Sequence, residues 1–284
     1  MTDETREMTG KTCIVTGANT GIGRVVAREL ARRGAHVVLA CRSRERSEAA
    51  LAEVHAAGGE GAAEFLDLDL SSLAAVRRAA TELLERGHSI DVLVNNAGVA
   101  GRHGLSRDGF ELTFAVNHLG HFLFTQLLME RIRRSTPARI VTVASKAHYG
   151  ARGIDFDALR GKARSRTGFA EYEVSKLANV LFSSELGRRL AGSGITTYAL
   201  HPGVIASDIW RGVPWPIRPI VKLFMKSNED GATAVLRCAT SVELAGETGN
   251  YYDRLQRAEP SNAAQDESLA RELWNRSTEW SGTG

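Results

Sequence analysis

Tyr172-Glu173-Val174-Ser175-Lys176 sets a phenol and an ammonium four positions apart. On a helix, residues at that spacing share a face. A free tyrosine has a pKa near ~10 and is a poor acid or base at neutral pH. A fixed neighbouring cation favours the phenolate. Lowering the phenol by about 3 units takes roughly 4 kcal/mol of differential stabilisation, which requires a partly buried site. The chemistry on offer is proton transfer to or from an oxygen.

A second constellation binds rather than reacts. Thr16-Gly17-Ala18-Asn19-Thr20-Gly21-Ile22-Gly23 lies between a β-branched run, residues 12–16, and an amphipathic stretch, residues 22–33. Glycine is needed where backbone turns tightly and approaches a ligand closely. The helix start that follows offers free N–H groups and a positive dipole end to a pyrophosphate. Placed between strand and helix, this turn reads as a dinucleotide site. Gly17, Asn19, Thr20, Gly21, Ile22 and Gly23 are therefore candidate cofactor residues.

The end of the next strand selects the dinucleotide. An NAD site places an acidic residue about 20 positions after the glycines, to bind the ribose 2′-hydroxyl. Here the chain reads Ala40-Cys41-Arg42-Ser43-Arg44, with no carboxylate to repel a 2′-phosphate. Arg42 can form charge-assisted hydrogen bonds to that phosphate, with Arg24 or Ser43 helping, so the expected cofactor is NADP(H). Leu68-Asp69-Leu70 and Asn95-Asn96-Ala97-Gly98 end two later strands at the same crevice. Asp69 can accept from the adenine amino group, and Ala97 and Gly98 are small enough for backbone to lie against the adenosine. Leu70 and Asn96 complete this part of the set.

These groups need a frame. Short apolar runs at residues 12–16, 36–40, 65–68, 91–94, 139–143 and 194–200 alternate with helix-length segments, such as 43–57 and 71–86. Strands separated by such crossovers form a parallel sheet. Their continuous apolarity indicates helices on both faces. The expected fold is a single doubly wound α/β domain of Rossmann type over residues 1–284, with about seven parallel strands. Residues 208–230 break the rhythm, because three of the six prolines and two of the four tryptophans fall there. At the carboxyl edge of the sheet this segment is expected to form an apolar lid over a substrate.

Composition narrows the function further. The 36 basic and 33 acidic residues leave a net charge of +3, which excludes an argument for nucleic acid or an anionic membrane surface. No apolar run is long enough for a membrane span. Cys13, Cys41 and Cys238 are far apart, with neither metal-ligand spacing nor a disulfide framework, which suits a reducing cytoplasm. His118 and His121 lack the further ligands that zinc requires, so no metal is expected. His148 lies near Ser145 and reads as substrate contact or as polar surface. The oligomeric state is left open, a homo-oligomer included.

The order of TGxxxGxG, NNAG, Val116-Asn117-His118, a serine after the fifth strand and YxxxK resembles the short-chain dehydrogenase/reductase family from about residue 9 to 280. Ala40-Cys41-Arg42, Val116-Asn117-His118-Leu119-Gly120-His121-Phe122, Tyr172 to Asn179, Glu259-Pro260-Ser261 and Leu273-Trp274 resemble its retinol-dehydrogenase-like branch. The resemblance implies an oxidoreductase that interconverts a carbonyl and an alcohol on an apolar small molecule. Tyr172 would be the general acid/base. Lys176 would hold the nicotinamide ribose hydroxyls and lower the Tyr172 pKa, helped by the charge of oxidised nicotinamide. Ser145 would hydrogen-bond the substrate oxygen, and Asn117 would kink its helix and hold a water linking Lys176 to solvent. His201, Pro202, Gly203 and Val204 would wall the nicotinamide. Ser207 stands near the family's usual threonine, and Ala144 replaces the first of its common serine pair.

The 27 positions from Ser145 to Tyr172 exceed the gap of many members, and the retinol-dehydrogenase-like branch shares this length. Residues 150–168 are thus expected to form an extra pocket wall with a solvated basic outer face. The N-terminal membrane anchor of several branch members is not seen. The alternative is a catalytically silent nucleotide-binding regulator or scaffold of the same fold. A light-driven reductase resembling the protochlorophyllide enzymes is disfavoured, because no cysteine lies between Cys41 and Cys238.

Overall fold

The computed structural model describes residues 6–161, 165–203 and 227–283. Eight strands form one sheet: β1 (Thr12–Thr16), β2 (His36–Cys41), β3 (Ala63–Asp67), β4 (Val92–Asn95), β5 (Ala138–Val143), β6 (Ile195–His201), β7 (Asn250–Asp253) and β8 (Gln256–Arg257). Their spatial order is β3-β2-β1-β4-β5-β6-β7-β8. All pairings are parallel except the last, where the two-residue β8 turns back on β7. The sheet therefore has one strand more than expected, because a tight return after β7 needs no crossover.

Helices α1 (Gly21–Arg32), α2 (Glu48–Gly58), α3 (Leu73–Glu85), α4 (Leu112–Phe114), α5 (Gly120–Arg133), α6 (Phe169–Arg189), α7 (Asn228–Thr240) and α8 (Glu267–Ser281) flank it. Side chains alternate across a strand. Cys13 and Val15 of β1 accordingly join Val26 and Leu30 of α1 and Val235 of α7 on one face. Ile14 joins Val76 and Leu83 of α3 and Phe122 and Leu128 of α5 on the other. Both faces are covered, which is why the strands lack a polar alternation. No described helix is long and apolar enough to cross a membrane.

Two local expectations change. The described residues of 150–168 do not line the cleft, whose wall instead takes Ala147 and Phe169 from either side of them. This insert packs outward: Leu159 is buried beside Phe110 and Phe114, and its carbonyl accepts from the Glu111 N–H at 2.9 Å. Arg160 lies over the Phe110 ring at 4.5 Å, so part of the basic face covers apolar surface. The described part of the extra length packs against the Phe110 and Phe114 region. Of the expected lid, residues 208–226 lie outside the described residues. Its last positions belong to α7, where Ser227 and Asp230 form a capping box.

Candidate active site

The strand order reverses between β1 and β4, and a crevice opens at such a point beyond the carboxyl ends of the strands. A cleft of about 970 Å³ lies there. Its wall includes Gly17, Asn19, Thr20, Gly21, Ile22, Gly23, Arg42, Asp69, Leu70, Asn96, Ala97, Gly98, Ser145, Tyr172, Lys176, Pro202 and Gly203. Asn117 sits fully buried behind the wall. Val204 and Ser207 lie outside the described residues.

The glycine turn is sterically determined. Gly17 has φ +66°, a left-handed conformation that side chains oppose. A Cβ on Gly23 would approach the Gly17 carbonyl oxygen to 2.7 Å and Asn96 Nδ2 to 2.5 Å. Asn96 in turn donates from Nδ2 to the Thr16 carbonyl at 2.8 Å. The Asn96 and Ala97 N–H groups both donate to Thr16 Oγ1 at 2.9 Å. The carboxyl ends of β1 and β4 are thus locked together. They hold a side-chain-free cradle at a helix N-terminus, which fits a dinucleotide pyrophosphate.

At the β2 end, exposed Arg42 and half-buried Ser43 reach the cleft, and so does Arg46, which the sequence reading did not single out. Arg46 belongs to a 3-10 turn, Glu45–Ser47. Its four-residue offset from Arg42 was the available signal. Arg24 is committed elsewhere, to Glu53 of α2. Among the described wall residues the one carboxylate is Asp69, whose Oδ1 accepts from the Ser71 N–H at 3.0 Å. Cationic groups thus outnumber it along the wall, as an anionic ligand requires.

The opposite wall carries the titratable groups. Ser145 follows β5, and Tyr172 and Lys176 stand one turn apart on α6, both buried. Lys176 Nζ donates to the Val143 carbonyl at 2.8 Å and lies 5.6 Å from the Tyr172 ring centroid. Burial brings Lys176 down to about 8. Burial pushes the Tyr172 phenol up, with the Ser145 hydroxyl pulling the other way. The expected lowering by Lys176 does not set the phenol here, because loss of water on burial is the larger effect and Ser145 supplies the opposing one.

Asn117 occupies the middle of a π-helical stretch, Ala115–Leu119, between α4 and α5. Its Oδ1 accepts from the Val99 N–H at 2.8 Å. Its Nδ2 donates to the Val99 carbonyl at 3.0 Å and to Ser175 Oγ at 2.9 Å. Ser175 Oγ donates to the Tyr172 carbonyl at 2.8 Å, so this serine inside the Tyr–Lys string ties α6 to Asn117. The Asn117 carbonyl faces His121 Nδ1 at 3.1 Å. A carbonyl only accepts, so Nδ1 carries the hydrogen, and in the neutral ring Nε2 accepts from Thr16 Oγ1 at 2.9 Å. Burial brings His121 down to about 4, in keeping with a neutral ring. A continuous chain of hydrogen bonds thus joins the glycine-turn strand to the Asn117 backbone.

His118 lies apart from that chain, against Ser277 Oγ at 3.0 Å and among Phe114, Phe122 and Phe182. His148 is neither substrate contact nor surface. It is fully buried, its Nδ1 donating to the Ser145 carbonyl at 2.6 Å and its Nε2 accepting from the Ser261 N–H at 3.1 Å. It anchors the backbone of Ser145 to the C-terminal segment.

The short chain dehydrogenase family matches residues 11–214. Human retinol dehydrogenase 13 is 44% identical over 93% of this chain and 82% of its own. Mouse retinol dehydrogenase 12 is 42% identical over 97% and 88%. A solved structure of an uncharacterised protein from Mycobacterium paratuberculosis superposes with a TM-score of 0.78 at 35% identity, covering 96% of this chain and 94% of that one. The Pseudomonas aeruginosa RhlG/NADP complex superposes with a TM-score of 0.68 at 28% identity, over 88% and 96%. The chain belongs to the short-chain dehydrogenase/reductase family, in its retinol-dehydrogenase-like branch, and is a hydride-transfer oxidoreductase of alcohol and carbonyl groups.

Proposed function

We propose that the protein uses NADP(H) to interconvert a carbonyl and an alcohol on an apolar small molecule, with Tyr172 as the general acid/base. The observation that carries this is the convergence of Ser145, Tyr172 and Lys176 on one wall of the cleft whose other wall is the glycine turn. The nicotinamide, when bound, supplies or accepts the hydride. Tyr172 donates its phenolic proton to the substrate oxygen in reduction and takes it back in oxidation. Ser145 orients that oxygen by a hydrogen bond. Lys176, anchored at Val143, holds the ribose hydroxyls and offsets developing charge on the phenol. Asn117 fixes the backbone of residue 99 and, through Ser175, the start of α6.

Arg42 and Arg46 support the 2′-phosphate reading, since both reach the cleft and no carboxylate lines it beside them at that strand end. Val99, Ala100, Ala147 and Phe169 give the wall its apolar part, which suits an apolar substrate and accords with the retinol dehydrogenase relatives. Turnover of apolar aldehydes and ketones with NADPH tests the proposal. Tyr172→Phe is expected to lose turnover by about 10²–10⁴-fold while keeping NADPH affinity. Full turnover in that variant overturns the role of Tyr172.

A further inference from the structure

We propose that His36, Glu64 and His88 form a binding site for a divalent transition cation of the zinc class, at the edge of the sheet opposite the cleft. Four residue steps along β2, about 13 Å at roughly 3.3 Å per residue, separate His36 from Ala40, where that strand begins to line the cleft. The site is thus independent of the oxidoreductase chemistry.

The sheet register builds the first half. Val38 pairs with Glu64, so His36, two residues earlier in β2, lies on the same face and diagonal to Glu64. His88 comes from the turn between α3 and β4. That turn is pinned by Arg131, which donates to the His88 carbonyl at 2.7 Å and the Leu84 carbonyl at 3.1 Å. Glu64 Oε1 is 3.5 Å from Nε2 of each histidine. Zinc–ligand bonds of about 2.0–2.2 Å at a tetrahedral angle place neighbouring ligand atoms about 3.4 Å apart. Among the described residues, this is the one group of three histidine, cysteine or acidic side chains whose ligand atoms converge in this way, all within 4.8 Å.

The histidine chemistry points the same way. His36 Nδ1 lies 3.1 Å from the Gly61 carbonyl, which can only accept, so Nδ1 carries the hydrogen. In the neutral ring Nε2 then turns a lone pair toward an acceptor oxygen of Glu64. Both atoms are shielded from solvent, and neither has a hydrogen-bond partner. Arg86 offsets the Glu64 charge but leaves the His36 lone pair without a donor, and a positive centre between the two facing acceptors would satisfy both. A ring N–H bound to a backbone carbonyl is also how metal-ligating histidines are oriented. Arg86 Nη1, 3.0 Å from Glu64 Oε1, is the competing cation. It also binds Glu82 and the Phe65 carbonyl, so it keeps partners when a metal takes Oε1. Both histidine side chains are partly exposed, His88 the more so, which leaves an entry path from solvent. Bound metal would clamp β2, β3 and the turn before β4.

The test uses the untagged full chain, stripped with a chelator and titrated with Zn²⁺ alone, or with Co²⁺ as a spectroscopic probe. The expected result is one ion per chain and an unfolding temperature raised by several degrees in excess Zn²⁺. Glu64→Gln and His88→Gln should each weaken uptake at least tenfold without altering turnover. His88 lies in a surface turn, so its variant reports on the metal even if a change at the sheet edge perturbs folding. Absence of saturable uptake, or uptake undiminished in both variants, overturns the proposal.

Discussion

The cleft wall over β1 and β2 is mainly main chain, glycine and exposed guanidinium groups, whereas the wall over β5 and α6 centres on two buried side chains that carry protons, Tyr172 and Lys176. The first wall has almost no titratable group inside it, and its constraint is steric: a Cβ at Gly23 has nowhere to go. The second wall holds a buried lysine and a buried phenol beside a half-buried serine. Burial moves the Lys176 and Tyr172 pKa values in opposite directions, each toward the neutral form. Binding here is a matter of leaving space, and chemistry a matter of holding unstable charge.

The comparison can be broken most directly at Gly23. Gly23→Ala is expected to weaken NADPH binding by about 100-fold or more and to destabilise the fold by about 1–3 kcal/mol through overpacking. Fluorescence titration and thermal unfolding read the two effects. Unchanged affinity would show that the turn yields.

Lys176→Met sharpens the other side. Burial holds Lys176 near 8 in the fold against an ordinary 10.5. Between those values the unfolded chain binds more protons, so folding gains stability as pH rises through about 8 to 10.5, and below that window the charge is a cost. The variant is expected to lose turnover yet unfold at a temperature a few degrees higher at pH 7. That advantage should shrink as pH rises through the same window. A lower unfolding temperature at pH 7 would mean that the Val143 hydrogen bond outweighs the burial of charge.

The smallest expected effects lie at the exposed cations. Arg42→Ala and Arg46→Ala should each weaken NADPH by about tenfold, or roughly 1.4 kcal/mol, and leave NADH unchanged. Screening by salt should reduce the difference. Equal affinities for the two cofactors in the parent protein would remove the basis for the 2′-phosphate reading.

Much of this was legible along the chain. Six strands of the parallel core, β1 to β6, fall within two residues of their expected bounds, because buried strands announce themselves as unbroken apolar runs. The short β7 and β8 carry no such run and were not placed. The glycine turn and the Tyr–Lys string were legible because local spacing alone puts their groups on one turn or one helix face. Arg46 escaped notice because its approach to the cleft depends on a 3-10 turn. The anchoring roles of Ser175 and His148 were not legible for another reason: their partners, Asn117 and Ser261, are 58 and 113 positions away.

The sequence by itself determined the alternation of strands and helices, the glycine cradle, the absence of an acid at the end of β2 and the Tyr–Lys spacing. Each of these is a property of residues within a few turns of one another. Only the tertiary structure decided that Leu159 of the insert packs with Phe110 and Phe114, that Arg24 is spent on Glu53, and that His121 bridges Thr16 to Asn117. It also decided that His36, Glu64 and His88 meet. Burial, and with it the pKa of Tyr172 and Lys176, is set by what distant segments place around a group, and no local spacing encodes it.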